Sequence, residues 1–154
     1  MISALRAVLS DGRDDSKARD MARGVARLLA DHGFATITEF TLKNGRRADV
    51  AGLDRRGDIV IVEVKSSVAD FQGDNKWPDY LDHCDRFYFA VDEAFPNDIL
   101  PDDQGLIIAD KFGAEIVREA PERKRVNAAR RKALTLRFGR TAAKRLQAFT
   151  DPPV

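Results

Sequence analysis

Hydrophobic residues along the chain change their period several times, and each change marks an element. In KARDMARGVARLLADHG, Met21, Val25, Leu28 and Leu29 recur at helical spacing and the run stops at Gly33, which predicts a first helix. FATITEFTL is rich in aromatic and β-branched residues and leads through Asn44-Gly45, a hairpin signal, into RRADVAGLD. A turn at Arg55, Arg56 and Gly57 then precedes IVIVEV, so three strands in a meander are expected. Alternation is lost from Ser67, which can cap a short helix; a break is expected near Gly73, and Pro78 is placed to open a second helical segment. DRFYFAV reads as a strand, and GLIIAD with AEIVRE as a hairpin around KFG. From about Arg123 to Ala148, Leu134, Phe138, Ala142 and Leu146 return every four residues, and Arg123, Arg130, Arg137 and Lys144 every seven. That pattern predicts a long helix with one packing face and one basic stripe.

The order of elements implies an α/β (α+β) fold, a mixed central sheet flanked by helices. Ile59 to Val62 are apolar on both faces of their strand, which requires a sheet covered on both sides. One domain is expected over residues 17–150, behind a flexible segment 1–16.

Composition narrows the function. A chain of 154 residues with 44% hydrophobic and 33% charged residues suits a single soluble domain. No apolar run approaches the roughly 20 residues of a membrane span, and MISALRAVLSDGRDD lacks the pattern of a secretory signal, so a cytoplasmic protein is expected. Cys84 is the lone cysteine, which excludes an internal disulfide and argues against structural zinc. His32 and His83 have no Ser or Asp constellation around them, and no glycine-rich phosphate loop is present. The net charge of +1 hides an asymmetry. Residues 1–120 carry 16 Lys and Arg against 23 Asp and Glu, net −7, whereas residues 121–154 carry 10 against 2, net +8. Such a basic segment either contacts a polyanion, nucleic acid first, or docks on the protein's own acidic surface.

The candidate chemistry lies at the end of the third strand. Glu63 and Lys65 are two residues apart and share a face. If Arg55, Arg56 and Gly57 form a three-residue loop, Leu53 pairs with Ile59, Ala51 with Ile61 and Asp49 with Glu63; a two-residue loop would set Asp49 opposite Val64. In the first register two carboxylates face each other about 5 Å apart, an arrangement that destabilises a sheet unless a cation offsets it. Lys65 could do so as a plain surface cluster. Alternatively, Mg²⁺ or Mn²⁺ could sit between Asp49 and Glu63, with the Val64 carbonyl as a further ligand and Lys65 steadying developing charge. That would be metal-assisted phosphodiester hydrolysis.

A helix, a hairpin bearing Asp, an apolar strand ending in Glu-x-Lys, then a helix and a strand together resemble the PD-(D/E)xK nuclease superfamily. More closely, GRRADV, IVEVKSSVADF, DNKWPDY, CDRFYFAV, GLIIAD and RRKALTLRFGR resemble the MmcB family of bacterial DNA repair proteins, over roughly residues 18–147. The resemblance implies a restriction-endonuclease-like core, metal ligands at Asp49 and Glu63, and a catalytic lysine at Lys65. Asp70, Asp74 and Lys76 would either line the cleft behind these residues or belong to a capping and packing element with Trp77 and Tyr80. Many superfamily members add a glutamate from the first helix; here that helix offers only Asp20 and Asp31, with Glu39 on the first strand as a substitute.

Two functions follow as expectations. One is a Mg²⁺- or Mn²⁺-dependent DNA endonuclease in repair, with Arg130, Arg131, Arg137, Arg140 and Lys144 holding phosphates without reading sequence. The other is a nuclease fold used as a non-catalytic DNA-binding or partner-recruiting module in DNA repair. An RNA-processing nuclease has the same chemistry, and either a monomer or a homodimer fits.

Overall fold

The computed structural model describes residues 14–154. The first helix, α1 (Asp15–Asp31), begins before the expected boundary because Asp14 caps it, its carboxylate accepting the Lys17 N–H at 3.1 Å. Residues 1–13 of the expected loose segment lie outside the described residues.

The meander forms as predicted, from β1 (Phe34–Thr41), β2 (Arg47–Asp54) and β3 (Ile59–Val64). Its two turns share one device, a three-residue loop ending in glycine. Leu42 donates to the Arg46 carbonyl (2.7 Å) around Gly45, and Asp54 donates to the Asp58 carbonyl (3.1 Å) around Gly57. Both glycines adopt a left-handed φ, +85° and +86°, which a side chain would strain.

Next come α2 (Val68–Gln72), capped by Ser67, and a 3₁₀ segment (Trp77–His83) opened by Pro78. β4 (Arg86–Val91), a short 3₁₀ turn (Asn97–Ile99), β5 (Gly105–Ala109), β6 (Ala114–Arg118) and α3 (Ala128–Thr150) complete the chain. The six strands form one mixed sheet in the order β1-β2-β3-β4-β5-β6, parallel at β3–β4 and β4–β5 and antiparallel elsewhere.

α1 covers one face of this sheet, placing Met21, Val25 and Leu29 with Val50, Val60, Val62, Val64 and Ile107. On the other face Ala51, Ile59, Ile61, Phe87 and Phe89 meet Trp77 and Tyr80 of the 3₁₀ segment and Leu134 and Phe138 of α3. The Trp77 ring is stacked on Phe87 and edge-on to Phe89, with centroids 5.8 and 5.1 Å away, which makes it a packing residue. All six residues of β3 are buried, as its two-faced apolar pattern requires. Each fully buried Val or Ile there contributes on the order of 2 kcal/mol.

The last helix differs from expectation at both ends. It starts at Ala128, not near Arg123, because Asp85 accepts the Val126 N–H (3.0 Å) and holds that stretch against the sheet, after which Asn127 caps the helix through the Arg130 N–H (2.9 Å). Its packing stripe holds through Leu134 and Phe138 and then outruns its partner surface, leaving Leu146 63% exposed. Arg145 pins this outer part by donating to the carbonyls of Thr38 and Glu39. Among the described residues no helix is long and apolar enough to cross a membrane.

Candidate functional site

β2 and β3 pair Val50 with Val62, Ala51 with Ile61 and Leu53 with Ile59, the register of the three-residue loop. Asp49 and Glu63 therefore come next, facing each other. There side chains take over from the ladder. The Asp49 N–H donates to Glu63 Oε1 at 3.1 Å, and the Val64 N–H donates to Asp49 Oδ2 at 2.8 Å. Each carboxylate is thus anchored by a backbone N–H of the opposite strand, which fixes where the two acids sit.

Their environment is unequal. Asp49 is half-buried, whereas Glu63 is only 4% exposed. Burial first, and the negative charge of Asp49 second, push the Glu63 carboxyl well above the usual carboxylate range; Lys65 opposes this without overcoming it. Lys65, 3% exposed, directs its Nζ to Asp74 Oδ2 at 2.5 Å. The other oxygen of Asp74 accepts the N–H groups of Lys76 (2.8 Å) and Trp77 (3.1 Å) and so organises the start of the 3₁₀ segment. Burial opposes ionisation of Asp74, but Lys65 and these two N–H groups outweigh it and hold the carboxyl below its ordinary value. Tyr80 closes the site from behind, its hydroxyl donating to the Arg47 carbonyl at 2.8 Å. Burial and the charges of Glu63, Asp49 and Asp74 raise its phenol above the usual range. No sequence pattern had tied Tyr80 to the acids, because the contact joins two segments 33 residues apart.

The other predicted residues divide. Asp70 does not reach the acidic pair: it is buried, accepts the Ser66 N–H at 3.0 Å and fixes the turn after Lys65, while Ser66 Oγ accepts the Asp14 N–H. Lys76 is exposed and only its backbone meets Asp74. Glu39 lies level with Asp49 on β1, between the Thr38–Val50 and Phe40–Ala48 pairs, but is exposed, at φ +51°. Arg131 is not available to a phosphate. Its guanidinium is bidentate to Asp85 (2.7 and 2.6 Å) and also binds the carbonyls of Gly57 and Val126. Arg130, Arg137, Arg140 and Lys144 line a groove of about 1040 Å³, whose far wall carries Lys43, Asn44 and His83. Lys43 had no signal in the sequence, being one cation in a turn.

Asp49 and Glu63 offer the oxygen donors that Mg²⁺ or Mn²⁺ prefers, in the number proteins commonly supply to such an ion. Among the described residues there is no group of three or more acids, histidines or cysteines arranged for a metal. The donor set fits a weakly held hard cation, and burial together with the Asp49 charge makes the Glu63 anion unfavourable in the absence of one.

Fold and site define an α+β domain with an acidic pair and a buried lysine at one end of a six-stranded mixed sheet, and a basic groove lined by α3 and the β1–β2 turn. The chain belongs to the MmcB-like family of DNA repair proteins: the family's model, described as DNA repair protein MmcB-like, matches residues 6–153. This agrees with the closer resemblance read from the sequence, that to the MmcB family. Its structure is similar to that of the SPO1766 protein of unknown function from Silicibacter pomeroyi, with a TM-score of 0.86 and 51% identity over 91% of this chain and 95% of that one. No curated protein matches the chain.

Proposed function

We propose that this DNA repair protein is a Mg²⁺- or Mn²⁺-dependent nuclease of the PD-(D/E)xK kind, hydrolysing DNA phosphodiester bonds at Asp49, Glu63 and Lys65. The observation that carries the reading is the unbalanced charge at Glu63. A buried carboxylate faces a second carboxylate while the neighbouring cation, Lys65, is turned to Asp74. A divalent cation held there would supply Lewis-acid activation of water and phosphate. Asp49 and Glu63 would be its protein ligands, with Val64 at the junction, and the backbone N–H groups they accept hold them in place. Lys65, oriented by Asp74, would steady negative charge on the phosphate. Arg130, Arg137, Arg140 and Lys144 would hold the DNA backbone without reading its sequence.

The test is cleavage of labelled duplex, nicked, flapped, branched and single-stranded DNA in Mg²⁺, Mn²⁺ or EDTA, together with calorimetric Mn²⁺ titration. Metal-dependent cutting by the wild type that is lost in Glu63→Ala and Lys65→Ala, with DNA binding retained, is expected. Full cleavage by either variant would overturn the assignment. A second reading, a non-catalytic module that binds DNA or recruits other repair proteins, draws on the Lys65–Asp74 pair, an ion pair that closes on itself. Absence of Mn²⁺ binding with and without DNA would favour it.

A further inference from the structure

The groove beside α3 has two features that phosphate binding alone does not require. It has cations on both walls: Lys43 on the β1–β2 turn faces a helix wall carrying Arg130, Arg137, Arg140 and Lys144. Among the described residues, Lys43, Arg137, Arg140 and Lys144 make no ion pair, and no Asp or Glu lines the groove. Its lining is also partly apolar, with Leu134 and Leu136, and Leu136 is 63% exposed, a large aliphatic side chain left uncovered.

Duplex DNA offers phosphates but keeps its base faces stacked inside. An unpaired strand offers both phosphates and base faces, which is what a cationic groove with apolar surface can accept. We propose that this groove is a track for a single strand of nucleic acid, with backbone phosphates on the facing cations and a base laid over Leu136. The inference rests on the reading of the chain as a protein that acts on DNA and names the form of the strand it holds. Arg130 and Lys144 lie fourteen residues apart on one helix, roughly 21 Å at the α-helical rise, long enough for several nucleotides. The groove's far wall is continuous with the site through the 3₁₀ segment, which has His83 in the groove at one end and Trp77, bound to Asp74, at the other. The Arg46–Asp79 ion pair at 3.0 Å ties the β1–β2 turn to that same segment, so both pieces of the far wall are held together.

The test is fluorescence anisotropy with labelled single-stranded DNA, single-stranded RNA and a matched duplex, all in EDTA so that hydrolysis plays no part. Either single strand should bind about tenfold or more tighter than the duplex, and the DNA-to-RNA ratio then reports on the sugar. Leu136→Ser should weaken single-strand binding severalfold without changing its salt dependence. The Arg137→Ala, Lys144→Ala double variant should lower the salt slope by about 0.7 per removed cation, hence about 1.4. Because Leu136 and Lys144 are exposed, unchanged melting temperatures will confirm that both variants fold. Equal or tighter duplex binding, or a Leu136→Ser variant indistinguishable from wild type, would overturn the proposal. Neither outcome bears on hydrolysis, since metal-dependent cleavage is read separately.

Discussion

Asp85 and Glu63 are buried carboxylates near opposite ends of the same pair of parallel strands, and their surroundings could hardly differ more. Asp85 accepts the N–H groups of Ile59 (2.8 Å) and Val126 (3.0 Å) and a bidentate Arg131, which together outweigh its burial and hold its carboxyl down to about 2. Glu63 is desolvated by its burial and has one backbone N–H and a second carboxylate as its neighbours, so its proton affinity rises. The first is a finished structural joint, fastening α3 and the stretch before it to the sheet. The second is a buried acid left beside another acid, the kind of perturbed group that clusters at functional sites.

The largest way to break the contrast is Asp85→Ala. It leaves Arg131 and two backbone N–H groups without their acceptor and should cost about 3–5 kcal/mol, read by urea denaturation. A loss under 1 kcal/mol would mean that the joint matters little. The pH dependence sharpens the comparison, because the two acids act with opposite sign. With a carboxyl near 2 in the folded state and near 3.9 unfolded, Asp85 contributes about 2.5 kcal/mol above pH 4, lost as the pH falls towards 2. Glu63 has a raised carboxyl, so the folded state binds its proton more tightly than the unfolded one. Its contribution therefore declines as the pH rises from the ordinary Glu value through the folded one.

Glu63→Gln isolates that second arm. Removing the charge should raise stability at pH 7 and flatten the decline, while abolishing Mn²⁺ binding; a destabilised variant that still binds Mn²⁺ would contradict the contrast. The smallest effect is expected from Asn127→Ala, about 1 kcal/mol, since the cap is lost while Asp85 still holds Val126 and Arg131. A loss as large as that of Asp85→Ala would show that the cap, not the ion pair, anchors the helix.

Much of this site was legible because its determinants are local. Gly57 falls where a three-residue hairpin loop needs a left-handed residue, and once that loop is set, the two-residue period of strands places Asp49 against Glu63. The partners of the charges were not legible. Arg131 looked like Arg130 and Arg137 in the basic stripe, yet it meets an aspartate 46 residues away. Asp70 and Asp74 both lay near the site in sequence, and only the turn after β3 decided that one would brace the backbone and the other hold Lys65.

By itself the sequence determined the elements, their order, the β2–β3 register and the two-sided burial of β3, because backbone sterics, side-chain period and loop length act over a few residues. Only the tertiary structure decided where α3 begins, which cations remain for a ligand, and that Lys43 faces the helix across a groove. Those outcomes depend on surfaces brought within a few ångströms by segments far apart in the chain, where charge compensation is settled pair by pair.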